Sequence, residues 1–368
     1  MKIGIDARLL YYQKAGIGLY TLHLLRALSA LKTQDSFAVL TSRKERTKLV
    51  VHPNFRQYHL WTPCHHALEQ WTLPLELAPL GLDLIHSPDF IPPFRRRCKA
   101  VITVHDLAFL RFPDLLTEES ARYYGQIRRA VESAEGIIAV SEATRRDMAD
   151  LLGTPPERVT VIHHGIEERF RPLPEKEVAD FCQERRLPES YLLWFSTIEP
   201  RKNLDALLRA LALLRTRGQE VGPLVIAGAR GWLYERSLKL IDELRLGDMV
   251  VLYGPAPADD LPFLYNGASL FVFPSLYEGF GFPPLEAMAC GTPVISSSAP
   301  ALREVLGEAA LFFEALDIEA LAGLIYQVQS DSALRERLGV QGTEQAAKYT
   351  WQQAAESTLA LYHKVLAQ

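Results

Sequence analysis

Cysteine is scarce: four in 368 residues, Cys64, Cys98, Cys182 and Cys290, far apart and with no C-x-x-C pair. That pattern excludes a disulfide scaffold and a zinc site, and it fits the reduced thiols of a cytosolic protein. Also missing is any run of eighteen apolar residues, so no membrane-spanning helix is expected. Residues 1 to 7, MKIGIDA, go straight into an apolar and charged pattern without the apolar stretch of a secretory signal. Acids do not cluster as metal ligands would. Asp259-Asp260 sits where a helix start favours acids, and Cys64-His65-His66 has no partner at metal-ligand spacing and reads as surface. The expectation is a cytoplasmic protein with no metal site and no cofactor of its own.

A strong excess of one charge is absent too. The net charge is −4; residues 1 to 172 carry 23 Lys and Arg against 19 Asp and Glu, leaving 17 against 25 beyond them. A net of +4 in the first half favours an anionic partner or membrane surface but is far short of a nucleic-acid footprint. The only dense basic run, RRRCK at 95 to 99, reads as a solvated loop.

What is present is length and alternation. A chain of 368 residues is too long for one ordinary core, and 48% hydrophobic with 23% charged residues is globular composition. KIGIDA, FAVLT, LIHS, AVITVHD, GIIAVS and VTVIHH read as buried strands of the first half, with helix-period segments such as 18 to 31 and 142 to 152 between them. YLLWFS, PLVIAG, MVVLYG, SLFVFPS, TPVISS and AALFF repeat the scheme. Strand-helix-strand alternation implies right-handed crossovers and parallel sheets, here twice. The expected fold is α/β, two doubly wound domains, 1–170 and 171–368, joined at the Pro-containing, charged 167 to 177. The helices from about 331 to 366 exceed what one domain needs, and the last is a candidate to cross back to the first.

Open α/β sheets bind ligands beyond the carboxyl ends of their strands. AGIGLYT at 15 to 21 nearly matches a dinucleotide fingerprint, but Thr21 replaces the third glycine; it is either an anion-binding helix start or a connecting loop. In EPRKNLDALL, Asn203 is a fitting N-cap, which puts Arg201 and Lys202 ahead of a helix N-terminus. Cations are disfavoured there unless an anion joins them, the alternative being that both side chains swing into water. EGFGFPPLEAMACGTPVI, 278 to 295, holds two acids eight positions apart around glycines and prolines. A helix starts near Pro283 or Pro284, so Glu286 falls in its first turn, favourable on structural grounds alone. Glu278, in a loop after a strand, has no such structural role. Acids beside bare amides suit a ligand bearing hydroxyls and phosphate. His105, at the end of AVITV, can serve a sugar hydroxyl or a proton transfer, or be a satisfied loop histidine; Ser141 reads as a helix N-cap.

These motifs, in this order and over essentially the whole chain, resemble the retaining nucleotide-sugar glycosyltransferases of the GT-B fold, family 4, and most of all the mannosyltransferase-type members. The resemblance implies Rossmann-like domains with sheets facing across a cleft, 1–170 on the acceptor side and 171–368 for the nucleotide-sugar donor. It also implies transfer of a hexose, mannose first, from a nucleotide-diphosphate sugar to a glycan or lipid-linked acceptor. GDP-mannose is the leading donor and UDP-sugars follow; a lipid-linked acceptor would put the enzyme peripherally at the inner face of the membrane. By the same resemblance Glu286 holds the donor ribose, and Glu278 with the backbone of Phe280, Gly281 and Phe282 holds the sugar. Arg201 and Lys202 neutralise the diphosphate, joined by the amide of Leu285 and by Gly16. His105 faces the donor sugar, and Tyr253-Gly254 lies near the base. Departures are Ser196-Thr197, where many relatives carry Gly-Arg, and His163-His164-Gly165, where many have Pro-Asn-Gly. A GT-B epimerase, a non-catalytic nucleotide-sugar binder and, more remotely, a nicotinamide dehydrogenase are the competing classes.

Overall fold

Apolar runs flanked by turn residues fold as strands buried on both faces, as parallel sheets require. The structure, a computed structural model, describes residues 1–12, 16–66, 68–113 and 118–368. Among the described residues, β1 (Lys2–Asp6), β2 (Ser36–Ser42), β3 (Phe55–Leu60), β4 (Leu84–Ser87), β5 (Lys99–Val104), β6 (Gly136–Ala139) and β7 (Val159–Val161) form one sheet, ordered β3-β2-β1-β4-β5-β6-β7. A second sheet holds β8 (Tyr191–Phe195), β9 (Leu224–Ala227), β10 (Val250–Gly254), β11 (Ala268–Phe273), β12 (Val294–Ser297) and β13 (Leu311–Phe313), ordered β10-β9-β8-β11-β12-β13. Every pairing in both is parallel. Strand order reverses between β1 and β4 in one sheet and between β8 and β11 in the other. Those are the places where doubly wound sheets open a crevice for ligand.

The strand missing from the sequence reading is β3. Its FRQYHL is buried only at Phe55 and Leu60, with polar, partly or fully exposed residues between them at a sheet edge, so it never forms an apolar run. Each unit has its own core: Ile3, Ile5, Leu24 and Leu25 in the first, Leu192, Trp194, Leu207 and Leu211 in the second.

The chain divides into Met1–Gly165 with Thr350–Gln368, and Ile166–Tyr349. The break thus falls five residues ahead of the expected boundary at 170, because the stretch after Gly165 is tied to the second unit. Ile166 donates its N–H to the Tyr349 carbonyl at 3.0 Å, and that of Leu173 goes to Asn266 Oδ1 at 2.9 Å. The last helix, Trp351–Ala367, crosses back to the first unit, the course for which it was the candidate. Its Ala354, Ala355, Leu361, Tyr362 and Val365 are buried in one core with Ile3 and Leu25. Gly136 admits it: a Cβ there would lie 2.8 Å from Val365 Cγ2. Beneath the helix, Tyr362 Oη meets His86 Nδ1 at 2.6 Å and Thr103 Oγ1 meets His86 Nε2 at 2.8 Å. Burial pushes the His86 imidazole down to about 3, so it stays neutral there.

Candidate functional site

The loops after β8 and β11 meet at the reversal point of the second sheet. Beyond β8 the chain makes one tight turn, Pro200–Lys202, and enters the helix Leu204–Thr216 through Asn203 in a left-handed conformation, φ 54°. Asn203 therefore does not cap the helix, as its type suggested. Its Nδ2 instead donates to the carbonyls of Pro274 at 3.0 Å and Ala315 at 2.8 Å, stitching loops together. Asparagine tolerates this backbone better than most residues.

That stitching brings Lys202 Nζ to Glu278 Oε1 at 2.6 Å, with Arg201 Nη1 3.6 Å from Oε2. Ser275 Oγ donates to Glu278 Oε1 at 2.7 Å, and Arg201 also donates to the Tyr277 carbonyl and the Glu199 carboxylate, each at 2.9 Å. Burial alone would raise the Glu278 carboxyl, but Lys202, then Arg201, and the bonds from Lys202 and Ser275 hold it below the ordinary carboxylate range. The sequence reading assigned cations and acid to different parts of a ligand. In the structure they are one charge-balanced network, Arg201 and Lys202 against Glu199 and Glu278.

Gly281, at φ 105°, starts the helix Phe282–Ala289. Only glycine fits: besides the backbone angle, a Cβ would sit 2.5 Å from Leu302 Cδ2. Pro283 and Pro284 carry no N–H, so the first turn offers amides only on Phe282 and Leu285. The Leu285 side chain is fully buried, which leaves its backbone as the part able to face a ligand. Glu286 is the fifth helical residue, past the first turn where it was expected, because the helix begins at Phe282. It accepts from Tyr265 Oη at 2.9 Å. Burial pushes its carboxyl up to about 7, with Glu167 adding to the rise and the Tyr265 bond and Arg169 opposing it. Phe280 is buried, its ring centroid 5.3 Å from that of Phe282. At the end of β10, Gly254 takes φ 82° and Tyr253 Oη donates to Asp260, which Arg185 also meets at 3.3 Å. Asp260 precedes the helix Leu261–Gly267 without capping it through its side chain.

Gly16 and His105 belong to the first domain. Gly16, φ 51° and exposed, precedes the helix Ile17–Ala30; Ala15 of the same motif lies outside the described residues. Thr21 is buried and its hydroxyl bonds the Ile17 carbonyl at 2.8 Å, serving the helix where a fingerprint glycine would stand. His105 Nε2 donates to the Pro88 carbonyl at 2.9 Å. Burial lowers its pKa more than that bond and the nearby Asp89 and Asp106 raise it, so the ring is a neutral donor there. Ser141 caps the helix Glu142–Leu152 as expected, accepting from the Thr144 amide.

Sequence reading missed the reversal point of the first sheet. After β1, Arg8 is almost wholly buried and donates to both oxygens of Asp6, to Glu69 and to the Thr62 carbonyl. After β4, Asp89 pairs with His65, whose ring lies tilted against that of Tyr123 with centroids 4.0 Å apart. Cys64-His65 is thus no inert surface run; the turn containing it folds inward because Glu69 accepts the His65 amide at 2.9 Å. Asp6 ends the first strand, and the strand-end rule applied there would have flagged it.

The family model described as Glycosyl transferases group 1 matches residues 176–345, and Glycosyltransferase Family 4 matches 15–170. The chain belongs to these glycosyltransferases. O-antigen chain mannosyltransferase B of Escherichia coli is 29% identical over 379 residues, covering 98% of this chain and 99% of that protein. The serotype-specific mannosyltransferase WbdA of the same species is 31% identical over 296 residues; the match covers 76% of this chain but only 36% of WbdA. Sucrose-phosphate synthase from Thermosynechococcus elongatus superposes with a TM-score of 0.81 at 23% identity, over 100% of this chain and 99% of that one. At that identity the likeness speaks for the fold, the GT-B class of two Rossmann-like domains. The glycosyltransferase further contains Tyr265, Ser275 and Glu199 around its two motif acids. Ser275 stands three residues before Glu278 and was within reach of a local reading; Tyr265, twenty-one residues from Glu286, was not.

Proposed function

We propose that this glycosyltransferase moves a hexose, mannose first, from a nucleotide-diphosphate sugar to a glycan or lipid-linked acceptor, with retention of anomeric configuration and without a divalent metal. The observation that carries the reading is the Lys202–Glu278–Arg201 network at the second sheet's reversal point, beside a helix start kept open by Gly281. A nucleoside diphosphate leaving group develops negative charge, and fixed cations and amides aimed at it are usually the largest catalytic contribution. On this reading the donor displaces Glu278 from Lys202: phosphate takes the cations, with Gly16 and the Leu285 amide joining, and the freed carboxylate accepts from sugar hydroxyls. Glu286 accepts from the ribose, His105 faces the sugar, and Tyr253-Gly254 lies by the base. The attacking hydroxyl enters on the face the diphosphate leaves, which gives retention. The names of the two mannosyltransferase relatives support mannose as the sugar; we take GDP-mannose as the leading donor and a UDP-sugar as the alternative.

Calorimetry against GDP-, UDP- and ADP-sugars, followed by transfer to acceptor with and without excess EDTA, tests it. A product whose anomeric coupling by NMR matches the donor, formed equally with EDTA, is expected. An inverted linkage, or abolition by EDTA with rescue by magnesium or manganese, overturns those parts. Donor that is merely isomerised would make the protein an epimerase.

A lipid-linked acceptor goes with a peripheral seat on an anionic membrane surface, at the inner face of the membrane. Trp61, Trp71 and Leu75 of the first domain are exposed, with the Arg43 and Arg95 guanidiniums 4.0 and 3.9 Å from the Trp61 and Trp71 rings. Exposed aromatics beside cations suit headgroup and acyl boundary together. Co-sedimentation with phosphatidylglycerol vesicles and not with phosphatidylcholine, weakened in Trp71→Ala, is expected; equal pelleting of parent and variant removes this seat.

A further inference from the structure

The donor chemistry gives His163-His164-Gly165 no part, yet the fold gives His164 a defined place. It is only 2% exposed and sits in a cluster of rings in the first domain. Its imidazole stacks on that of His105, with centroids 5.4 Å apart and planes 27° from parallel. Tyr20 meets His105 edge-on at 4.8 Å and lies 4.8 Å from His164 as well. Trp351 backs the pair, 6.0 Å from His164 and 5.9 Å from Tyr20. Gly165 permits this approach, since a Cβ there would lie 2.0 Å from the Trp351 backbone nitrogen. The Tyr20 ring is anchored in turn, its hydroxyl 3.2 Å from Thr103 Oγ1, two residues before His105.

A face covered by His164 and an edge met by Tyr20 hold His105 in one orientation. In it Nε2 lies 2.9 Å from the Pro88 carbonyl, which can only accept, so Nε2 carries the proton. A neutral ring then has Nδ1 bare. Turning the ring over about its Cβ–Cγ bond would set carbon against Pro88 and lose the bond. The charges near the ring are Asp89 and Asp106, which favour its protonation; burial, to which the stacked His164 contributes, outweighs them. His86, His164 and Tyr20 are themselves kept uncharged by burial.

We propose that His164 is a positioning residue for the transfer: stacked on His105 and backed by Tyr20 and Trp351, it locks that ring in the orientation that leaves Nδ1 bare to accept from a hydroxyl of the donor sugar. His164 touches no substrate; it sets which nitrogen His105 offers. The inference rests on the reading in which His105 faces the donor sugar.

Nitrogen-15 NMR of the imidazoles in the full chain reads the tautomer directly, in the parent, His164→Asn and His164→Phe, with the His105 signals assigned by their loss in His105→Gln. At about pH 6.5, where an ordinary histidine is half charged, the parent should show His105 neutral and as a single Nε2–H tautomer. His164→Phe keeps a flat ring against His105 and should keep that signature. His164→Asn removes the ring, so His105 should exchange between both tautomers and take up its proton at a higher pH than in the parent, because water reaches it. In transfer assays His164→Asn should lower kcat about tenfold, the worth of one well-placed hydrogen bond, and move the acidic limb of the pH profile upward, while His164→Phe stays close to the parent. Nucleoside diphosphate affinity should be the same in all three. An unaltered His105 signature in His164→Asn, or its loss in His164→Phe, overturns the inference. A parental kcat in His105→Gln would instead overturn the reading in which His105 faces the sugar, and it is measured independently of the tautomer.

Discussion

Both sheets gather charge where their strand order reverses, and they do so to opposite effect. In the second, Arg201 and Lys202 after β8 meet Glu278 after β11, with Glu199 completing a balanced set at the edge of solvent. In the first, Arg8 after β1 is sealed between Asp6 and Glu69, and Asp89 after β4 faces His65 with one oxygen unpaired. The same topology thus offers exchangeable cations in one domain and surplus acceptors in the other. A phosphate can trade places with Glu278, because Lys202 and Arg201 lose one anion and gain another. No such exchange is open to Arg8, whose removal from its carboxylates would leave two acids uncompensated in a buried setting. What a crevice recognises is therefore set by how its ions are already paired, not by which ions it contains.

The largest effect should come from breaking the sealed pair. Arg8→Ala leaves Asp6 and Glu69 without their cation, and loss of one partner of a buried pair typically costs about 3–5 kcal/mol. Thermal unfolding should show the first domain melting well below the second. A single transition at the parental temperature would mean that Arg8 does not hold the crevice of the first sheet.

Next is the exchangeable network. Lys202→Ala should lower kcat by tenfold to a hundredfold, from about 1.5–3 kcal/mol for a charged hydrogen bond felt in the transition state, with a smaller change in donor affinity. Within the same motif, Glu278→Ala should spare nucleoside diphosphate binding and damage nucleotide-sugar use, whereas Glu286→Ala should weaken both. Calorimetry with the two ligands separates them, and equal loss of nucleoside diphosphate by both variants would end the division of labour.

The smallest effect concerns pH. Glu278 is held ionised by Lys202 and Arg201, while burial lifts Glu286 from 4.5 to about 7. A raised carboxyl favours the folded state when protonated, so its contribution is complete below 4.5 and lost as pH climbs through about 7. Glu286→Gln escapes that loss. It should melt a few degrees above the parent at pH 8 and close to it at pH 5. Nucleoside diphosphate affinity of the parent should improve as pH rises through 7 more than that of the variant, because only the carboxylate accepts from both ribose hydroxyls. A variant that follows the parent's pH curve would show that Glu286 does not titrate in this range.

Twelve of the strands were legible because each is an apolar run between turn residues, and the strand-end rule led to Arg201, Lys202, Glu278 and Glu286 directly. β3 was not legible: half its residues are polar because it lies at an edge. Residue type makes Asn203 a cap, yet carbonyls from two distant loops compete for its amide and win. The pairing of Lys202 with Glu278 spans 76 positions, and nothing in either segment announces the other.

Hydrophobic periodicity, a local property, was enough to determine two parallel α/β domains and which loops face the carboxyl ends of their strands. Charge state and partnership were decided only by tertiary structure. Lys202 neutralises Glu278 while burial lifts Glu286 to about 7 against the opposing Tyr265 bond, and His65 turns from a surface residue into a partner of Asp89. Such outcomes depend on burial and on charges a few ångströms away in space, and sequence distance encodes neither.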